Sequence, residues 1–345
     1  MLSMFKQSKL DYYFHTLWLR FWAYYYFIYD KINPKAKENK KMEILSNWNK
    51  NQTTFKYTLT EENSFFYTYS FFPTRQFLLP FLVKNEDGFY TSYKGYPPTL
   101  FMPLILGYYG LVTYNHYFQT QDEMLKKEIY NYANYTISKM ELTGALNYNY
   151  DYKLFNQKAP WHSGIAQAII SSFLLRAHLL YPNENFLMYS QKAMDFMLHE
   201  GKLNTETPEG FLWIEEYPME SHSMVLNGFI FSIISIIEVD SMIASDKYSN
   251  LAQAYLQSLI NYLHLYLFPK GIRHNMKQIK FGNANYEALH VFLFFHLYKL
   301  TNNLFFYNIA LKYFKMTNWK VFYALYNIKY NAELKGLLES YFKNL

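Results

Sequence analysis

The sequence predicts a mainly α fold: an incomplete (α/α) barrel or toroid preceded by a small antiparallel β region. Three observations predict it. From Pro98 onward, apolar residues recur at helical spacing through most of the chain. The periodic stretches run roughly 15 to 20 residues and come in pairs joined by longer loops, without a solenoid repeat of about 34 residues. Before them, residues 53 to 94 carry alternating and β-rich stretches instead.

Residues 10 to 30 read as a helix. The stretch is very aromatic but contains Asp11, His15, Arg20 and Asp30. A transmembrane span needs about 20 apolar residues with few charges, and a signal peptide needs a cleaner apolar core and a small-residue cleavage site. An amphipathic helix fits better. It either packs on the body of the protein or rests peripherally on a membrane surface, and the chain reads as cytoplasmic. Residues 31 to 52 are polar, contain Pro34 and read as a linker. Thr53 to Thr60 alternates, Phe65 to Phe72 is β-rich, and Asn85-Glu86-Asp87-Gly88 is a turn signal ahead of Phe89-Tyr90-Thr91. The expected division is residues 1–94, a helix plus β-hairpin region, and residues 95–345, the toroid.

Within the toroid, helices are expected around 100–118, 122–140, 162–180, 184–199, 221–241, 247–266, 286–299, 303–315 and 331–343. Asn183 is a candidate cap for a helix that Gly201 ends. Pro182, Pro208 and Pro218 punctuate the loops. An α/α toroid gathers its loops at one end, where a groove can form.

Composition narrows the function. The 345 residues are ample for a large core in one domain or two. A net charge of +6 has no run dense enough for a nucleic-acid stripe, the densest patch being Lys35 to Lys41. A mild positive bias suits an anionic substrate. The 37 Tyr and 31 Phe reflect a general compositional bias for the most part, leaving a few tyrosines to stack on sugar rings. The absence of cysteine excludes disulfides and thiolate metal sites. The ten histidines are scattered, and no phosphate-binding glycine motif is present, so neither a metal nor a nucleotide cofactor is expected. The oligomeric state stays open between monomer and homodimer.

One short segment concentrates chemistry. Trp213-Ile214-Glu215-Glu216-Tyr217-Pro218 packs an indole, two carboxylates and a phenol between a Gly/Pro/Thr-rich loop and a helix. Taken alone it is an acidic loop over a core tryptophan. With Val225-Leu226-Asn227-Gly228-Phe229 after it, it resembles the signature of the D-glucuronyl C5-epimerase family. The animal heparan sulfate epimerases carry Trp-Tyr-Glu-Glu-Tyr-Pro and Phe-Val-Leu-Asn-Gly-Phe. Two further blocks agree in order. Pro160-Trp161-His162-Ser163-Gly164-Ile165-Ala166-Gln167, with Arg176-Ala177 downstream, resembles the family's Trp-Tyr-Ser-x-Met-Ala-Gln helix. Gly107-Tyr108-Tyr109-Gly110-Leu111 resembles its Gln-Tyr-Gly-Leu helix. The resemblance runs from about residue 95 to the end. The β-domain that the animal enzymes hold between those two blocks is replaced here by Tyr114 to Ala159, which has room for one helix and a loop.

The resemblance implies removal of the proton α to a uronate carboxylate and its return to the opposite face. That chemistry needs positive charge or hydrogen-bond donors on the carboxylate and acid/base groups on both faces of the ring. It implies Glu216, Tyr217 and Tyr286 as catalytic groups, with His290 one turn below Tyr286. The family's Tyr-Asp-Leu-Arg-His strand corresponds to Lys270-Gly271-Ile272-Arg273-His274-Asn275-Met276-Lys277 in two registers. One keeps Arg273 as the carboxylate clamp, which a bidentate guanidinium favours, and leaves His274 as a substitute proton carrier. The other puts His274 at the family's tyrosine and Lys277 at its arginine. Glu215, Asn227, Tyr109 and Tyr96 are further candidates for substrate contact. Trp161 and His162 precede a helix at the loop end, where each is either core or a substrate contact. Met102 stands where the family has a tyrosine, and His222 reads as loop surface. The implied substrate is an anionic polysaccharide of the heparosan type. A lyase eliminating from the same carbanion and a non-catalytic glycan-binding relative are the competing readings.

Overall fold

The computed structural model describes residues 2–50, 79–97, 99–219, 222–243, 247–278 and 284–317. Eight helices among them form four hairpins. They are α3 (Pro103–Thr120) with α4 (Glu123–Lys139), α5 (Gly164–Leu180) with α6 (Phe186–Asp195), α7 (Leu226–Ile243) with α8 (Ser249–Tyr262), and α9 (Ala284–Thr301) with α10 (Leu304–Phe314). Helices α3, α5, α7 and α9 pack on one another in chain order, and each carries its partner on the outside. This is the expected incomplete (α/α) barrel.

The side chains account for the layers. An inner helix is covered on all sides, so it is apolar all round. Residues Gly164 to Ala177 of α5 and Leu226 to Asp240 of α7 are buried without interruption. Helix α7 is long and apolar enough to cross a membrane, but 83% of it is buried inside the protein, so the core accounts for its composition. The outer helices bury one stripe only. On α4 the stripe is Leu125, Ile129, Tyr132, Ala133 and Thr136, one face of a 3.6-residue period. Between the inner walls, Arg176 of α5 grips Glu238 of α7 through two hydrogen bonds of 2.9 and 2.7 Å, both residues being fully buried.

The N-terminal elements share this core. The linker expected over residues 31 to 52 is instead a helix. After α1 (Leu2–Ile32), the chain forms α2 (Pro34–Lys50). Pro34 sits at the first position, where its missing N–H leaves no bond unmade. The Asn33 side chain accepts from the Ala36 amide at 3.1 Å. Trp48, buried against Phe305 and Phe306, docks the helix.

The turn at Asn85 to Gly88 joins β1 (Leu82–Lys84) to β2 (Tyr90–Tyr93), antiparallel, with Gly88 at φ +85°. The hairpin rests on α4 through Phe89, stacked on Tyr135 at 3.9 Å. The strands expected around Thr53–Thr60 and Phe65–Phe72 and the helix expected at 331–343 lie outside the described residues. Helix α6 starts after Asn185 rather than Asn183 and runs into a π turn (Phe196–Glu200) before Gly201. The helix expected from residue 221 begins at Leu226.

Three long connections lead into the N-terminal ends of α5, α7 and α9. Two of them carry small hairpins, β3 (Asn204–Glu206) with β4 (Leu212–Ile214), and β5 (Leu267–Phe268) with β6 (Gly271–Ile272). They bond to one another. The Gly164 amide donates to Glu215 O (3.1 Å), Leu226 to His274 O (3.0 Å) and Met276 to Ser223 O (3.0 Å). One end of the barrel is thereby built from these connections and the helix starts beneath them.

Candidate active site

Trp213 anchors the acidic segment. It is fully buried and stacks on Phe229 at 3.7 Å and on Tyr266 at 6.1 Å, which ties β4 to α7 and to the loop before β5. The two carboxylates that follow have separate fates. Glu215 Oε2 accepts from Ser223 N (3.1 Å), Ser223 Oγ (2.6 Å) and Met224 N (2.9 Å). His222 Nδ1 lies 3.3 Å from its other oxygen. Burial raises the Glu215 pKa, opposed by those donors. Its partners hold a loop in which His222 and Met224 take φ values of +49° and +43°. Glu215, expected as a substrate contact, is thus corrected to the anchor of that loop.

Glu216 faces the other way. It is 8% exposed, and its Oε2 has no hydrogen-bond partner among the described residues. Burial pushes its pKa up to about 7; the Tyr217 hydroxyl opposes the rise and the Glu215 charge adds to it. Asn227, at the start of α7, likewise has a buried Oδ1 without a partner. Two close approaches shape the turn. A Cβ on Gly228 would sit 2.8 Å from Glu216 Oε2, and one on Gly164 would sit 2.5 Å from Glu215 O. Only glycine lets both helix starts come this near.

Tyr217 is half-buried and lies flat on Phe155, with centroids 4.0 Å apart and planes within 7°. Tyr152 and Trp161 flank it at 5.5 and 5.8 Å. Its pKa is well above the usual phenol value, from burial first and then from Glu216, Tyr152 and Tyr286. Trp161 stacks on Tyr148 at 4.1 Å and donates from Nε1 to Tyr150 O at 2.9 Å. Burial raises the pKa of Tyr150 and of Tyr152, and Tyr96, half exposed, is near enough to add to both. Sequence reasoning missed Tyr148, Tyr150, Tyr152 and Phe155. The available signal was tyrosine at every second position over 148 to 152, which in extended chain puts three phenols on one side.

The 270–277 segment completes the site. The His274 ring is 4.1 Å from Tyr286 and 6.0 Å from His290. His290 is fully buried, and burial together with His274 holds its pKa well below the usual value, so it is a neutral imidazole beneath the pair. Arg273 is corrected. Its Nε donates to Asn275 O (2.9 Å) and its Nη2 to Met276 O (2.9 Å), and burial lowers its pKa. The guanidinium braces its own loop. The cation beside the stack is Lys277, which is exposed, with Nζ 5.2 Å from the centre of the Phe155 ring and 3.8 Å from Met219 Sδ. Of the two registers, the geometry matches the one with His274 and Lys277.

Two other expectations are corrected. Tyr109 is fully buried and donates to Glu128 Oε1 at 2.6 Å, its ring between Tyr90 and Tyr132 and facing α4. The ridge of α3 that holds it is core. His162 packs edge-on against Phe196 at 4.7 Å, and burial lowers its pKa. Met102, the residue before α3, is buried. Among the described residues, no group of three or more His, Cys, Asp or Glu is placed to hold a metal ion.

The fold is an (α/α) barrel with aromatic and titratable side chains gathered at its loop end. Two solved structures share the fold: the Lin0763 protein of Listeria innocua (TM-score 0.51, 11% identity, 71% of this chain and 68% of that one) and the GH76 alpha-mannanase of Bacteroides thetaiotaomicron (0.50, 11%, 81% and 82%). The family described as D-glucuronyl C5-epimerase C-terminus matches residues 140–315, just over half of the chain, and this protein belongs to it. Its sequence is similar to the D-glucuronyl C5-epimerase of Caenorhabditis elegans, 25% identical over 216 residues that make up 54% of this chain and 34% of that enzyme. The chain therefore spans about a third of the length of that curated relative.

Proposed function

We propose that this chain is a polysaccharide uronate C5-epimerase, interconverting D-glucuronate and L-iduronate residues within an anionic glycan of the heparosan type. Membership of the family supports an epimerase acting on carbohydrate. The observation that carries the finer reading is Glu216: a buried carboxylate with an open oxygen and a pKa near 7, beside Tyr217, whose phenol in turn feels Tyr286. A group titrating near neutrality is a competent acceptor for a weakly acidic carbon-bound proton. Tyr217, held far above the usual phenol range, stays protonated and acts as a donor.

In the proposed reaction the C5–H bond breaks and the proton passes to Glu216, directly or through the Tyr217 hydroxyl. The electron pair delocalises into the uronate carboxylate. Lys277 and the N-terminal ends of the inner helices stabilise the added charge. The Tyr286 hydroxyl, backed by His274, returns a proton to the opposite face of C5. The reverse reaction exchanges the two roles. Tyr96 and Tyr152 supply faces for the neighbouring sugars, and Trp161, buried and stacked on Tyr148, backs them from within the core.

The test is incubation of the full chain with heparosan in deuterated water. Deuterium at C5 of an intact polymer, with iduronate appearing, is the expected result. An unsaturated uronate at a new chain end would make the protein a lyase, and no exchange in any uronate polymer would make it a non-catalytic relative. Either outcome overturns the proposal.

A further inference from the structure

Helix α1 is fastened to the barrel by one face only. Leu19 and Ala23 are buried there against Phe268, Tyr26 packs on the same ring at 5.4 Å, and His15 Nε2 meets Glu287 at 2.9 Å. The opposite face carries Phe14, Leu17, Phe21, Tyr24, Ile28 and Ile32 at steps of three or four residues, all between 56% and 76% exposed. This is a continuous apolar stripe of nearly five turns. A soluble surface seldom leaves such a stripe bare without a partner for it.

The charges beside the stripe select the partner. Among the described side chains of α1, the exposed charged groups are Arg20 and Lys31, both cationic. The one carboxylate among the described side chains of α1, Asp30, is half-buried and acts on Lys40 and Arg273. Lys35 adds a further exposed cation just beyond the helix. Trp18, Tyr25 and Tyr29 border the stripe, and each is at least 36% exposed. Indole and phenol rings favour the boundary between hydrocarbon and lipid headgroups, because one end is apolar and the other is wet. A second copy docking through the same face would oppose Arg20 and Lys31 to their own kind, with no exposed carboxylate among the described side chains of α1 to pair them.

We infer that α1 is a docking surface for an anionic lipid bilayer, lying in the plane of the interface with its stripe inserted and its cations against the headgroups. The inner face fixes the helix along the barrel, so it rests on the bilayer rather than spans it. The inference stands on α1 alone and is independent of the epimerase reading.

Flotation of the full chain with vesicles tests it, comparing phosphatidylglycerol mixed into phosphatidylcholine with pure phosphatidylcholine. The wild type is expected to float with the anionic vesicles and to be released by high salt. The double variant Phe21→Ser, Ile28→Ser is expected to partition at least about tenfold more weakly. Its melting temperature should be unchanged, since both side chains are exposed. Arg20→Gln with Lys31→Gln is expected to lose the preference for anionic lipid. A wild type that stays in solution, or a double variant that floats as well as the wild type, overturns the inference. Dimerisation in lipid-free solution that the double variant abolishes would assign the face to a second copy. A fall in its melting temperature would assign the face to another segment of this chain. Either result overturns it as well.

Discussion

Glu216→Gln is the substitution on which the site can be judged most sharply, because it reads out in stability as well as in turnover. Burial lifts this carboxylate from its ordinary 4.5 to about 7. Each tenfold change in proton affinity is worth about 1.4 kcal/mol, so the folded state holds the proton roughly 3 kcal/mol more tightly than the unfolded chain does. The raised value sets the sign. That stability is fully present below pH 4.5 and is lost as pH rises through about 7. Glutamine keeps the shape and cannot titrate, so the variant does not suffer the loss. Urea denaturation at pH 4.5, 6, 7 and 8.5 should show the variant gaining on the wild type by about 3 kcal/mol across that range. The same variant should lose C5 proton exchange, while in the wild type exchange should rise with pH through about 7. A stability difference that stays flat from pH 4.5 to 8.5 would mean an ordinary solvated carboxylate, and the assignment of Glu216 as the proton acceptor would fall with it.

Three further outcomes follow from the same geometry. Tyr217→Phe keeps the ring stacked on Phe155, so its melting temperature should move little while C5 exchange drops about 10²- to 10⁴-fold. Lys277→Ala removes an exposed cation; it should change stability by less than about 0.5 kcal/mol yet lower kcat as well as raise KM for the uronate polymer, because the charge it offsets grows in the transition state, and Lys277→Arg should restore most of the loss. Arg176→Met leaves Glu238 inside the barrel without its guanidinium partner, and guanidinium denaturation should register a loss of about 3 to 5 kcal/mol.

The barrel was legible because its helices are periodic and its punctuation is local. The turn at Asn85 to Gly88 needs only its own residues: a side-chain acceptor at Asn85 for the Phe89 amide and a glycine at positive φ. Helix α2 escaped because Lys and Asn dominate Pro34–Lys50, and what holds it in place is tertiary. Trp48 enters a cleft made by Phe305 and Phe306, some 250 residues away along the chain, which no local window contains. The start of α6 illustrates the same limit. Asn183 is a cap by type, yet the helix begins after Asn185, whose side chain makes no capping bond.

The site was legible in its motif and illegible in its register. Glu215 and Glu216 are neighbours in extended chain, so they point to opposite sides, and nothing in the pair says which side is the cleft. Ser223 and Met224 decide it by claiming Glu215, and Gly228 decides it again by leaving room only for Glu216. The same holds for the strand that diverges from the family. Arg273 and Lys277 are both reasonable cations, and a bidentate guanidinium is the better clamp on chemical grounds alone. The bonds from Leu226 N to His274 O and from Met276 N to Ser223 O set the segment against the start of α7. With that register the arginine turns onto its own carbonyls and the imidazole falls on Tyr286. In the proposed reaction, an imidazole backing Tyr286 and a single ammonium at the uronate carboxylate are weaker geometric constraints than a second tyrosine and a fork of guanidinium donors. Selectivity for one uronate would then rest on Tyr150 and Tyr152, the partly exposed rings of the aromatic wall.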